Sequence, residues 1–405
     1  MTAELTQPQP GATKRIPRRI CLAAIVVLAT FVAVHLIRSS GSIHRELAAI
    51  EATRAIPDSE NAAPLYYKIL DEYPLTLPEF FPPLQITGSP PHDALSQMAE
   101  FTAYLAYVPM LQHAAKIKEC RLSLSLDPKI IIRRRAVREE MEKWVRLLSE
   151  LAKRDEALGR FDAAFDKYTC MSQMANHCYQ QRTREGMFVA ASPEGGALGG
   201  FNRLIANGNA SETQLTTIDE VTSQIQADWQ QAWPQIQQVE ELYALYWKRQ
   251  LTLRRRLSKI RIDKKVHYEV LPFSHYPAFP KVYRRRLSWR RGIRILVALQ
   301  RYKDRNGRWP QSLEDLASVA PEEIFIDPVN DGKFVYKIKP DTFVLYSKGK
   351  DAIDQHVEWD FSHPMYGPGH PKTDDTPIHP ALAWHVASPD HIGVTEPHTH
   401  TEQTQ

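Results

Sequence analysis

IIIRRRAVREEMEKWVRLLSELAKRDEALGRFDAAFDKY, residues 130–168, is the stretch that decides the fold class. Up to Gly159 its apolar residues recur three and four apart, the spacing of one face of an α-helix. Gly159 then interrupts the pattern, and FDAAFDKY restarts it with the small residues Ala163 and Ala164 where two helices would touch. This is the signature of a close-packed helical hairpin. No second copy stands in register about 34 residues away, so it is a single hairpin and not one unit of a repeat array.

The same period extends outward in both directions. DALSQMAEFTAYLAYVPML (residues 93–111) carries it upstream, and SETQLTTIDEV (211–221) carries it downstream. The second opens with a capping box, Ser211 followed three residues later by Gln214, after the NGNA stop. DSENAAPLYYKILDEYP offers a helix start at Asp58 or Ser59 and a stop at Pro74, and Pro74–Pro91 reads as an extended loop packed by its aromatics. ASPEGGALGG (191–200) is Gly-rich without the Lys-Ser/Thr of a phosphate-cradling loop, so a turn between helices is expected there. The fold class is mainly α, with a multi-helix domain over residues 38–287.

Ile20–Ile37, ICLAAIVVLATFVAVHLI, is 18 residues with no formal charge. As a helix it spans about 27 Å, enough for a thin hydrocarbon core. Lys14, Arg15, Arg18 and Arg19 precede it and Arg38 alone follows, so residues 1–19 form a cytoplasmic basic segment and the chain after 38 faces the periplasm. The apolar run is longer than a signal-peptide core and ends without a clean small-x-small site, which favours a retained transmembrane anchor at 20–37 in a bacterial inner membrane.

Residues 248–294 hold sixteen Lys or Arg against Asp263 and Glu269, leaving the rest of this +4 chain net acidic. Arg254, Arg255, Arg256, Arg284, Arg285, Arg286, Arg290 and Arg291 are the candidates for contact with an anionic surface, lipid headgroups or an acidic partner. The plainer reading is a solvated basic face paired with that acidic remainder. Nucleic acid is disfavoured, because export leaves this charge on the wrong side of the membrane.

Trp289–Asn306 has one apolar stripe, through Ile293, Leu296, Val297 and Leu299 or Tyr302, and Gly307 ends it. A short helix at RWPQSLEDLAS and a brief strand at EEIFI follow. FVYKI and FVLYS, joined through Pro340-Asp341, then alternate as an antiparallel hairpin, with Phe334, Tyr336 and Ile338 on the same side as Phe343 and Leu345. A helix laid across that face would bury it, giving a small α+β module over 288–358.

LQRYKDRNGRWPQSLEDL, DPVNDGKFVYKI and FVLYSKGKDAIDQ, in that order, resemble the C-terminal globular part of type II secretion pseudopilins of the major type. The whole chain is also similar to families of membrane-anchored bacterial proteins of unassigned function, which carry a motif standing here as IPDSENAAPLY, Ile56–Tyr66. The resemblance implies an envelope protein linked to secretion or surface assembly, with calcium held in the loop after the hairpin by Asp351, Asp354 and the Ser347 carbonyl. Calcium requires about six oxygens, and Ala352 stands where the pattern has Gly, so the plainer reading is that these aspartates cap a turn. The chain also lacks the pseudopilin cleavage Gly and the acid of the assembly helix, which argues against polymerisation.

Residues 359–405 are rich in Pro and His and read as a disordered tail, whose His363, His370, His379, His385, His391, His398 and His400 are too irregularly spaced for a structural metal site. Cys120, Cys170 and Cys178 read as buried, unpaired small hydrophobes, although Cys120 could pair with either of the others. No P-loop, G-x-S-x-G, HExxH, Rossmann fingerprint or CxxC occurs. His113 and His177 sit in helical runs as satisfied histidines. The function expected is therefore a periplasm-facing, non-enzymatic interaction or scaffold protein without a cofactor. The alternative is a hydrolase with its site among the helices of 38–287.

Overall fold

The computed structural model describes residues 30, 41–72, 105–225, 229–257, 279–340, 342–354 and 375–379. Its helices in chain order are α1 (41–52), α2 (Ala63–Glu72), α3 (Tyr107–Lys116), α4 (Pro128–Ala157), α5 (Phe161–Tyr179), α6 (Arg184–Ala206), α7 (Glu212–Gln224), α8 (Trp229–Leu257) and α9 (Phe279–Asn306). Three short strands follow: β1 (Val335–Ile338), β2 (Phe343–Ser347) and β3 (Thr376–His379). The chain is mainly helical, with a small antiparallel sheet near its C-terminus. Residues 20–37 lie outside the described part. Among the described residues no helix is long and apolar enough to cross a membrane.

Local chemistry sets the helix ends. Asp127 caps α4 by accepting from the Lys129 N–H at 2.8 Å, and Pro128 at the first position gives up an N–H that the helix start leaves unbonded anyway. Gly159 takes φ +71° in the link from α4 to α5, a conformation that costs glycine little. The Ser211–Gln214 capping box forms as the sequence indicates, with both reciprocal bonds present.

α4, α5 and α6 pack against one another, with α2 and α3 on one side and α7 and α9 on the other. The Gly-rich stretch 191–200 is not a turn but lies inside α6. Two of its glycines serve close approach: a Cβ at Gly200 would stand 2.4 Å from the Tyr168 ring of α5, and one at Gly196 3.2 Å from Met171 Sδ. Buried packing here overrides the poor helix propensity of glycine and of Pro193.

One hydrophobic core runs from Trp144 and Phe201 through Ile293 and Leu299 of α9 to Phe343 and Leu345 of β2, so it continues across residue 288. α9 starts at Phe279, ten residues before the periodic stripe is legible. β2 is buried along its whole length and forms the middle strand of β1-β2-β3. The hairpin pairs Tyr336 with Leu345 and Ile338 with Phe343, although Ile338 remains 40% exposed.

Two readings are corrected. EEIFI forms a 3-10 turn (Glu322–Phe325) and only a single bridge from Ile326 to Lys333, because Asp327-Pro328 turns the chain before a ladder can extend. The tail is not wholly irregular. Residues 376–379 add β3 to β2, and Ile378 is buried over Gly292 while its carbonyl accepts from Asn202 Nδ2. The other residues of 359–405, apart from Asp375, lie outside the described part.

A second, smaller core joins Ile43, Leu47 and Ile50 of α1 to Leu124, Leu126, Val239 and Leu242.

Candidate functional site

Residues 119–127 run extended between α3 and α4, and side chains take the place of a neighbouring strand. Gln180 Oε1 accepts from Cys120 N at 2.8 Å, Gln181 Oε1 from Leu122 N at 2.9 Å, and Asn61 Oδ1 from Arg121 N at 2.8 Å. Gln181 Nε2 also donates to the Cys120 carbonyl at 3.0 Å. This segment, α4, α8 and the start of α6 enclose two adjoining cavities.

The smaller one, about 40 Å³, is mainly apolar, with walls that include Leu122, Leu124, Val137, Met141, Cys178 and Val189. The larger one, about 90 Å³, is more polar. Arg134, Arg135, Arg138 and Arg184 line it together with Glu185, Glu240, Tyr243 and Trp247. Arg134, Arg138, Thr183 and Glu185 belong to both walls.

Bonds hold these groups in place. Arg134 Nη1 donates to the Ser123 carbonyl at 2.6 Å, and its guanidinium lies 5.4 Å from the centre of the Tyr243 ring. Arg138 pairs with Glu185, and Arg135 Nε donates to Glu139 at 2.7 Å. Thr183 caps α6 by accepting from Gly186 N at 3.0 Å, and the Arg184 N–H donates to Glu240 at 2.9 Å. Burial raises the Glu240 pKa above the usual carboxylate value, against the pull of that N–H and of the Arg184 and Arg134 charges. Behind the wall, burial and the like charges of Arg121 and Arg182 lower Arg54 to about 10.

His177 forms the floor. Its Nε2 lies 2.7 Å from the Ile117 carbonyl, which can only accept, so Nε2 carries the proton and Nδ1 accepts from Tyr66 OH at 2.9 Å. Burial lowers its pKa to about 4. Burial also raises Cys120 and Cys170 to about 12 and Cys178 further, and all three thiols are unpaired. His113 is exposed on α3.

The basic candidates separate. Arg290 is not a surface residue: it is 1% exposed and paired with Glu194, because one face of α9 is buried against α6. Arg284 lies 3.8 Å from Asp331, Arg286 covers the Trp289 ring at 5.8 Å, and Arg291 Nη1 donates to the Ile326 carbonyl at 2.6 Å. Arg285 is exposed. The side chains of Arg254, Arg255 and Arg256, at the end of α8, lie outside the described part.

Ser347 ends β2, and Asp351 and Asp354 follow it in the next turn. Ser347 Oγ donates to Asp327, while Asp354 accepts from Lys337 Nζ at 2.9 Å and Tyr346 OH at 2.5 Å on the opposite face of β2. Asp351 Oδ1 accepts from Ile353 N at 2.9 Å. Among the described residues no group of three or more His, Cys, Asp or Glu could hold a metal ion. His379 is buried against Phe343, with ring centres 4.4 Å apart, and burial lowers it to about 4. The other tail histidines lie outside the described residues.

The two-chambered cleft escaped sequence reading, because its walls come from residues about 50 and 110 positions apart. The run Arg133-Arg134-Arg135 was the one available signal. No family model, curated protein or solved structure matches the chain.

Proposed function

We propose that this is a single-pass, periplasm-facing binding or scaffold protein of the bacterial envelope, anchored through residues 20–37 and without a cofactor. One observation carries the reading. Gly41 follows Ile37 by four residues, at most about 14 Å of chain, and α1 then packs its buried face on Leu124, Leu126, Val239 and Leu242. An anchor ahead of α1 thereby holds the helical body and its docked sheet close to the bilayer.

Spheroplast proteolysis tests the reading. With the full chain expressed in a bacterium, external protease should remove everything after residue 38, and the N-terminal fragment should resist alkaline extraction from membranes. Protection of the C-terminus in intact spheroplasts, with digestion only after lysis, would overturn it.

A further inference from the structure

α1 and α8 run antiparallel, and their unequal lengths shape one end of the body. His44, in the first turn of α1, meets Tyr246 of α8 edge to face, with ring centres 5.8 Å apart. Arg54, just past the far end of α1, lies in the field of Arg182, whose Nη1 donates to Gln235 near the start of α8. From Tyr246, α8 continues to Leu257, a rise of about 16.5 Å, whereas α1 runs back from His44 only to Gly41, about 4.5 Å. α8 therefore overhangs the start of α1 by about 12 Å. Gly41 is itself at most about 14 Å of chain from Ile37, so the overhang spans most of the gap between the body and the end of the anchor.

This end exposes the groups that settle at a bilayer interface: apolar side chains, Tyr and Trp, and Lys and Arg. Ile132 of α4, 68% exposed, is the most exposed large apolar side chain among the described residues, and its neighbour Ile131 lines the larger cavity together with Trp247. Leu245 is 45% exposed. Lys129 and Lys248 are exposed, and Trp247 is partly so. From Lys248 to Leu257 the sequence holds five Lys or Arg and no acid. The negative end of the α8 dipole offsets only about half a charge of that. Glu46 and Asp127 oppose it from α1 and from the cap of α4, not from the overhang.

We propose that the overhanging turns of α8, with the first turns of α4, dock on anionic phospholipid headgroups of the bilayer that holds the anchor. The inference rests on the anchor reading and deepens it: a second contact fixes the body against the membrane, where residues 38–40 alone would let it swing. The basic residues of 248–256 supply the attraction, roughly fivefold in local binding for each one near an anionic surface. Ile132 and Trp247 supply apolar and aromatic surface at the headgroup boundary. Position selects lipid over another acidic partner, because the overhang extends towards the anchor and away from the sheet end of the core.

Hydrogen exchange on the full chain in lipid nanodiscs tests the surface, with phosphatidylcholine alone compared with phosphatidylcholine containing phosphatidylglycerol. Amides of residues 247–257 should exchange at least about threefold more slowly in the anionic bilayer, while those of α5 are the same in both. Joint replacement Arg254→Gln, Arg255→Gln and Arg256→Gln should remove the difference. Raising salt from about 0.1 to about 1 M, which shortens the screening length from about 10 to about 3 Å, should remove it in the wild type. Where the triple variant melts early, Lys129→Gln with Lys248→Gln takes its place and should reduce the difference. Equal exchange in the two bilayers, or a difference that survives either the substitutions or the salt, overturns the docking surface and leaves the anchor standing. Equal and strong protection in both bilayers would assign the overhang to a second copy of the chain or to its own residues. A chain that does not stay with the nanodisc overturns the anchor, and the docking surface with it.

Discussion

Arg290 of α9 and Glu194 of α6 form an ion pair with almost no exposure to solvent, 1% for the arginine and 0% for the glutamate. Tyr179 OH donates to the second carboxylate oxygen at 2.5 Å, and Arg290 Nη1 donates to the Ile225 carbonyl at 2.9 Å. Burial alone would lower the pKa of Arg290, but the Glu194 charge more than offsets it, so the guanidinium stays protonated. This cluster pins the helix that carries the sheet to the helical body. Removing one partner strands the other charge in the core. Arg290→Met and Glu194→Gln should each cost about 3–5 kcal/mol in urea unfolding, and the double apolar replacement should regain a large part of that. Additive losses in the double variant would show that the two side chains are not coupled.

Gly292 and Ile378 are the next contact along the same junction. A Cβ at Gly292 would fall 2.3 Å from Ile378 Cδ1, and the partner is an isoleucine fixed in β3 by the sheet and by Asn202. Gly292→Ala should destabilise by about 1–3 kcal/mol and loosen β3 selectively. Hydrogen exchange at residues 376–379 should accelerate while the amides of α5 stay protected. Uniform acceleration throughout would place the strain elsewhere.

How much of this could be read beforehand follows from which interactions are local. The periodicity of α4, the Ser211 capping box and the Phe343–Ser347 strand each depend on neighbours within a few residues, and the sequence displays them directly. Arg290 was assigned to the surface because a charge run looks the same whether it faces water or a single acid 96 residues away. The Gly-rich stretch looked like a turn because its reason for glycine, the Tyr168 ring, belongs to another helix. β3 is four residues in a Pro- and His-rich context, and only the open edge of β2 gives it a role. The arginine-lined cleft is assembled entirely from such distant pairings.

His177 links the floor of the cleft to pH. Its pKa in the fold is about 4, below the ordinary value of 6.5, so the folded state favours the neutral ring. The stabilisation is therefore complete above about pH 6.5 and is lost as pH falls from there towards 4. The full shift is worth about 3 kcal/mol. Urea unfolding of the wild type should show a steeper decline between pH 6.5 and 4 than that of His177→Asn. His379 titrates in the same direction, also under burial, so the comparison is best made in a His379→Ala background. Parallel pH profiles for the two chains would mean that His177 is not held neutral.

The Asp-Pro loop offers the last test, because two aspartates compete for its organising role. Asp327 is fully buried and accepts from Val329 N at 3.0 Å, Asn330 Nδ2 at 3.0 Å and Ser347 Oγ. Asn330 Nδ2 also donates to the Gly349 carbonyl at 2.7 Å, so one carboxylate ties the 327–332 turn to the end of β2. Asp351 is exposed, and its Oδ1 accepts from Ile353 N within its own turn. Asp327→Ala leaves buried donors without an acceptor and should cost about 2–4 kcal/mol, whereas Asp351→Asn keeps an acceptor in place and should cost less than about 0.5 kcal/mol. Thermal melts of both variants, with and without added calcium, discriminate. If calcium raised the Tm of the wild type but not that of Asp351→Asn, the exposed aspartate would be a ligand, and the hydrogen-bonded turn would not be the whole account of this loop.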